Sequence, residues 1–254
     1  MTNWNYFDDD HHYVDVLHNR LKQGILMDSC STLARLLLDQ PNLPSSIHIL
    51  DIGSGPGHYY PHFRRIFDTS LDSYTGLDLV EANITNGCQF FSGDPTVSFI
   101  HGDILEPLAI SPLVNIALSA NTLPHLPSIE PVVSNILKSN ISICAFRMLI
   151  GSDIVISKKL VGSATGFESL STAVYQHNNI YSLDYIKSLF GPSWRISVHQ
   201  DFQDLDRLEK HQQDVAYASA ADSYSRVSRP VGNLVFKGDL YMPWKILLLS
   251  KENA

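Results

Sequence analysis

Cysteine is scarce in this chain, with only three in 254 residues. Cys30, Cys88 and Cys144 stand far apart, odd in number and in no metal-ligand spacing. That excludes a disulfide framework and reads as buried thiols in a reducing compartment. Long apolar runs are missing too, since none approaches the roughly 20 residues of a membrane span. The stretch from Met1 to Asp10 is acidic and lacks the basic start and apolar core of a signal peptide, so a soluble cytoplasmic protein is expected. Positive charge is in short supply. Eighteen Lys and Arg against 26 Asp and Glu leave a formal net charge of -8, and such a surface repels a polyanion, which argues against nucleic acid as a partner. Arg20, Lys22 and Arg35, or Arg64 and Arg65, are small basic spots rather than a stripe. Repeats and low-complexity tracts are absent. With 44% hydrophobic residues, what remains is one core-forming unit, long for a single domain but within reach of an α/β domain with insertions.

Two common phosphate signatures are missing as well. The segment His48-Ile49-Leu50-Asp51-Ile52-Gly53-Ser54-Gly55-Pro56-Gly57-His58 joins an apolar strand to a glycine turn ahead of a helical segment. A dinucleotide fingerprint G-x-G-x-x-G read from Gly53 needs glycine where His58 stands, and read from Gly55 it needs glycine where Tyr60 stands. No Gly-Lys-Ser/Thr follows to make a P-loop. What is present, Asp51-x-Gly53-x-Gly55-x-Gly57, resembles the S-adenosylmethionine site of class I methyltransferases.

The resemblance extends along the chain, clearly over residues 45 to 190. Asp78, in Thr75-Gly76-Leu77-Asp78-Leu79, lies about 20 residues past the glycine turn, the separation of a strand-helix-strand unit whose second strand ends in a ribose-binding acid. Val97 to Leu105 is a short apolar strand running into Gly102-Asp103-Ile104, where the family places a carboxylate against the adenine amino group. Val114 to Leu126, with Ser119-Ala120-Asn121-Thr122, is similar to the family's fourth-strand segment. The resemblance therefore implies S-adenosylmethionine as cofactor, S-adenosylhomocysteine as product, and Asp51, Gly53, Ser54, Gly55, Gly57, Asp78, Leu79, Asp103, Ile104 and Ser119 around it. It implies an α/β fold, a seven-stranded, mostly parallel, doubly wound sheet with an antiparallel last strand. Members that methylate exocyclic amines of nucleic acids carry Asn-Pro-Pro-Tyr or a similar tetrapeptide after the fourth strand, and catechol-type, metal-dependent members an Asp at that strand's end. This chain has neither, so a small-molecule substrate without a metal is expected.

The rest of the chain reads coarsely as one methyltransferase domain, residues 1-254. Residues 1-40 form a helical cap with apolar positions at helical spacing, interrupted near Gly24, and residues 45-150 form the cofactor-binding core. Crossover helices are expected at Tyr59 to Phe67, Glu81 to Phe91 and Ile129 to Leu137, with a further helix from Leu183 to Phe190 capped by Ser182. Strands are expected at Ile141 to Ile150, Trp194 to Val198 and Leu240 to Leu249, with Pro243 at a strand entrance or bulge. Residues 151-182 and 202-238 read as insertions covering the substrate, the second alternatively as the contact of a homodimer.

Methyl transfer from a sulfonium asks mainly for alignment and the exclusion of water, with a base only for a high-pKa oxygen. His125 is the candidate base, against the plainer reading that it caps or packs the next helix. Asn121 is the candidate to orient substrate or the cofactor's methionine end. Tyr6, Phe7 and Tyr13 offer aromatic faces to a sulfonium, or ordinary helix packing. Arg147, inside an apolar strand, must find an acid or an anion: an anionic substrate, or a structural partner such as Asp153 or Glu168. Asn179 and Tyr181 line a pocket or belong to a capped loop. Asp8-Asp9-Asp10-His11-His12 has metal-ligand chemistry, but consecutive residues point in different directions. The expected activity is methyl transfer to an oxygen or nitrogen of a small polar metabolite, a sugar or anionic compound. A silent cofactor-binding scaffold, a nicotinamide dehydrogenase and an RNA methyltransferase are the alternatives.

Overall fold

The computed structural model describes residues 11–25, 28–160, 175–201, 228–231, 234–237 and 240–252. Two helices, α1 (His11–Lys22) and α2 (Asp28–Leu38), lead into β1 (Ile47–Ile52), followed by α3 (Tyr60–Phe67), β2 (Leu71–Asp78), α4 (Glu81–Phe90), β3 (Val97–His101) and β4 (Ile116–Ala120). After these come α5 (Glu130–Leu137), β5 (Ile143–Gly151), β6 (Lys158–Leu160), β7 (Tyr175–His177), β8 (Tyr181–Ser182), α6 (Leu183–Phe190) and β9 (Trp194–Gln200). A short antiparallel sheet of β10 (Ser228–Val231), β11 (Leu234–Lys237) and β12 (Leu240–Tyr241) precedes the final strand, β13 (Trp244–Lys251).

The main sheet runs β3-β2-β1-β4-β5-β13-β9, with β8 pairing to β5. Strands β1 to β5 are mutually parallel, whereas β13 is antiparallel to both neighbours. Central strands covered on both faces must be apolar nearly throughout, and β5 is buried at all positions but Arg147 and Gly151. On one face α5 and α6 bury Val132, Ile136, Ile186 and Phe190 against Leu50, Ile52 and Phe146. On the other, α2 and α3 bury Leu33, Leu37, Phe63 and Phe67 against Ile47, Ile49, Tyr74 and Ile246. This is the doubly wound architecture expected from the sequence. No helix among the described residues is long and apolar enough to cross a membrane.

Local expectations and structure differ at a few places. The final strand is not continuous from Leu240. Pro243 has no N–H to give a ladder, so Leu240–Tyr241 joins the small sheet and β13 starts at Trp244. The Pro243 carbonyl still accepts from Ile150 N at 2.9 Å, which seats the strand entrance beside β5. Cys88 is exposed, while Cys30 and Cys144 are buried. Helix α6 keeps its expected limits, and Ser182 Oγ accepts from Tyr185 N at 3.2 Å as its cap.

One packing feature fixes α3 and α4 on the sheet. A Cβ at Gly57, Gly76 or Gly87 would fall 2.7 Å from the Phe99 ring in each case. Three glycines thus form a socket in which one aromatic from β3 locks the start of α3, strand β2 and helix α4 together.

Candidate active site

The parallel strands end at one rim, and the chain leaves β1 there between β2 on one side and β4 on the other. That is the topological switch point of an open α/β sheet, where ligands bind. The turn at this point bends because Gly53, Gly55 and Gly57 adopt φ of 73°, 56° and 83°, a region costly for any residue with a Cβ. Gly53 N and Ser54 N both donate to Leu77 O, at 2.7 and 3.1 Å, so the turn continues the β1–β2 ladder. Ser54 is buried, its hydroxyl donating to Gly55 O at 3.0 Å.

Asp78 closes the turn from the end of β2. Its carboxylate accepts from Gly55 N at 2.7 Å, Val80 N at 2.9 Å and Asn83 Nδ2 at 3.3 Å. A carboxylate offers about four acceptor positions, so about one stays open, and the bond to Asn83 is the longest of the three. Asn83 is buried with its own Oδ1 unpartnered.

Asp51, the next-to-last residue of β1, is 1% exposed and accepts a hydrogen bond from the Tyr74 hydroxyl. Burial, opposed by the Tyr74 hydrogen bond and helped by the nearby Asp78, raises its pKa to about 7. Burial likewise holds Asp78 above the usual carboxylate range, opposed by its donors. Two carboxylates in a dry pocket repel each other, and a bound cation relieves that repulsion.

The walls come from both sides. Leu17 of α1 lies 3.2 Å from where a Cβ on Gly55 would stand, and the His58 ring lies 3.5 Å from it. Burial, then Arg20 and His62, pushes His58 down to about 4, and its Nδ1 is without a partner. Thr122 overhangs Gly53 so closely that a Cβ there would meet its Oγ1 at 2.0 Å.

Beyond β4 the predicted residues separate into two groups. Asn121 holds a left-handed φ of 69° and accepts from Arg147 Nη1; asparagine tolerates that region better than most residues. Of the two acids expected to pair with Arg147, Asp153 does not. Arg147 Nε and Nη2 form a fork on Asp201, at 2.7 and 2.5 Å, and its guanidinium stacks 4.3 Å above the Trp244 ring. Glu168 lies outside the described residues. Asp201 directly follows β9, which the sheet order brings beside β13 and thus within reach of β5.

His125, in the 3-10 turn after β4, meets His177 O with its Nδ1 at 2.9 Å. A carbonyl only accepts, so Nδ1 carries the hydrogen, and in the neutral ring Nε2 is the basic nitrogen.

Other predicted residues are occupied structurally. Ser119 is fully buried and donates to Ile52 O at 3.0 Å, clasping β4 to β1. Asn179 is also fully buried, donating to Leu126 O at 2.9 Å and accepting from Ser157 N at 3.1 Å. Tyr181 is buried and stacks on Tyr185. Asp103 is half-buried and turns the chain by accepting from Leu105 N at 2.9 Å. Ile104 is buried and its carbonyl accepts from Asn135. Leu79 accepts from His101 through its carbonyl. Tyr13 is 42% exposed on α1, and Tyr6, Phe7 and Asp8 to Asp10 lie outside the described residues. Among the described residues no cluster of three or more His, Cys, Asp or Glu is placed to hold a metal ion.

Sequence reasoning passed over Tyr74, Asn83, His58, Thr122, Asp201 and Trp244. Tyr74 was accessible in principle, because strand alternation puts it on the same face as Gly76 and Asp78. Nothing in the sequence connects Arg147 with a residue 54 positions later.

No protein-family model matches the chain, and no curated protein matches it in sequence. Solved structures match in shape. A phosphoethanolamine N-methyltransferase 2 of Haemonchus contortus, in complex with phosphomonomethylethanolamine and S-adenosylhomocysteine, has a TM-score of 0.64 at 12% identity. That match covers 100% of this chain but 61% of the other, so this chain spans about three fifths of its length. The [4+2]-cyclase SpnF matches with a TM-score of 0.54 at 15% identity, over 88% of this chain and 81% of its own. A geranyl diphosphate C-methyltransferase of Streptomyces coelicolor A3(2) matches with a TM-score of 0.52 at 12% identity, over 88% and 80%. Identities this low show a shared fold only, and the three names span three chemistries. The sheet order, the switch-point glycine turn and these likenesses together give the chain the class I methyltransferase fold.

Proposed function

We propose that the protein binds S-adenosylmethionine at the Gly53–Gly57 turn and transfers its methyl group to an oxygen or nitrogen of a small polar metabolite. The observation that carries this reading is the pair of buried carboxylates, Asp51 and Asp78, at the switch point. A ligand bringing two ribose hydroxyls and a positive charge meets both needs of that pair, hydrogen bonds for Asp78 and a counter-charge for Asp51. A nicotinamide dinucleotide also offers ribose hydroxyls to such an acid, but this chain lacks the G-x-G-x-x-G turn that takes its pyrophosphate.

When bound, the cofactor supplies an activated methyl group on a sulfonium. This chain's own residues then hold the ribose through Asp78, exclude water with α1, and present Asn121 and His125 from the end of β4. His125 Nε2 is the base where the acceptor is a hydroxyl. Arg147 is committed to Asp201 and Asn121, so its role is to brace Asn121 rather than to hold an anionic substrate.

Calorimetry and thermal unfolding with S-adenosylmethionine, S-adenosylhomocysteine and NAD test the reading. A ligand at 100 times its dissociation constant should stabilise by about 2.7 kcal/mol. Either adenosyl ligand should do so, and Asp78→Ala should abolish the effect while retaining the wild-type circular dichroism. Stabilisation by NAD alone refutes the proposal. Adenosyl binding with no methyl transfer to a panel of amines, carboxylates and sugars leaves the scaffold reading in its place.

A further inference from the structure

A second polar site lies on the outer side of α2 and α3, separate from the glycine turn. Ser31, Arg35, Leu38, His62, Arg65 and Ile66 line a surface depression of about 360 Å3 there. At its floor His62 is only 4% exposed, with Nδ1 3.1 Å from Ser31 Oγ and Nε2 buried without any hydrogen-bond partner. Burial and then Arg65 lower the pKa of this ring, with Asp28 opposing, so at neutral pH it carries one N–H. With the Ser31 hydroxyl donating to Nδ1, that hydrogen sits on Nε2; in the other tautomer Nδ1–H donates to Ser31 Oγ and Nε2 is a bare acceptor. Either way a buried ring nitrogen lacks a hydrogen-bond partner, a state that proteins rarely tolerate.

The rim is cationic. Arg35 and Arg65 are exposed, and the ion pairs among the described residues, Arg147 with Asp201 and Lys187 with Asp184, lie elsewhere. On a chain of net charge -8, two guanidiniums without carboxylate partners among the described residues, beside an unpartnered imidazole nitrogen, form a local exception. Guanidinium forks match the oxygens of a phosphoryl group bidentately, and a neutral imidazole N–H adds a third donor.

We propose that this depression binds a phosphoryl dianion, with Arg35 and Arg65 gripping its oxygens and His62 Nε2 donating to one of them. The site stands independently of the cofactor reading, because none of its residues belongs to the glycine turn. Free phosphate and a phosphorylated side chain of a partner share this chemistry.

The test is a titration of the full chain, labelled with 15N, at constant ionic strength, following the His62 imidazole signals. Inorganic phosphate and a phosphoserine peptide are the two probes. Saturable shifts of His62 are expected, with Arg35→Gln or Arg65→Gln each raising the dissociation constant about tenfold. Both substitutions fall on exposed helical positions, and Lys187→Gln, on a distant exposed helix face, is the control that should change nothing. Tighter binding of the peptide assigns the site to a phosphorylated partner, and tighter binding of phosphate to a free metabolite. Shifts that do not saturate, that equal concentrations of chloride reproduce, or that survive in the Arg35→Gln/Arg65→Gln double variant overturn the proposal.

Discussion

Replacing Asp51 with asparagine should stabilise the ligand-free protein increasingly as pH rises from about 4 to about 7, and change little below that window. The reason lies in the burial of the carboxyl, which moves its pKa from the ordinary 3.8 to about 7 in the folded chain. Between those values the folded protein keeps a proton that the unfolded chain has released. Stability must therefore fall as pH rises through this window and level off above it, the reverse of a salt-bridged acid. Three pH units at about 1.4 kcal/mol each make a penalty of about 4 kcal/mol at pH 8. Asparagine has no such titration, and its Oδ1 still accepts from the Tyr74 hydroxyl. Urea unfolding of both proteins in steps from about pH 4.5 to 8.5 reads the difference directly. His58, His62 and His177, whose pKa values burial lowers, add stability as pH rises, but they do so in both proteins and cancel. A difference that stays flat or shrinks with pH refutes the argument. The same ionisation should govern ligand preference. S-adenosylmethionine, with its cationic sulfur, should bind the wild type more tightly as pH rises through 7, whereas S-adenosylhomocysteine should respond less and Asp51→Asn should not respond at all.

Other outcomes follow from single contacts. Gly87 lies inside α4, where alanine is worth about 1 kcal/mol in helix propensity, yet its Cβ would stand 2.7 Å from the Phe99 ring. Gly87→Ala should therefore lose about 1–3 kcal/mol by overpacking, and Phe99→Leu in the same chain should recover part of it; a stabilised Gly87→Ala in chemical denaturation refutes the socket. For the Arg147–Asp201 pair, with side chains 14% and 2% exposed, Asp201→Asn or Arg147→Met should each cost about 3–5 kcal/mol by stranding a buried partner. The double variant should cost less than their sum, and strict additivity in urea unfolding argues that the pair does not act as one. His125→Ala should leave cofactor affinity within about twofold by calorimetry while lowering turnover about a hundredfold, the lower end of what a positioned base contributes; unchanged turnover removes His125 as the base.

Much of the fold was written in consecutive residues. The apolar run into Gly53, Gly55 and Gly57 encodes strand, turn and helix start within a dozen positions, because positive φ belongs to residues without a Cβ. Ser182 marks the start of α6 and Pro243 the entrance of β13, each through the chemistry of one side chain acting on its own backbone. Asp78 was legible for a similar reason, as the end of the next strand in a unit of fixed length.

What the sequence determined by itself is thus local: which segments are strands and helices, and where the main chain turns bare of side chains at a strand's end. The tertiary structure alone decided what the polar side chains are for. Arg147 meets Asp201 because β13 inserts between β5 and β9, and Tyr74 meets Asp51 because β2 pairs with β1 in one register. The Phe99 socket and the unpartnered His62 nitrogen arise where separate elements close on one another. Propensity and turn geometry act over a few bonds and leave a mark in the local sequence. Hydrogen bonds and burial act through space, between residues whose distance apart in the chain carries no sign that they will meet.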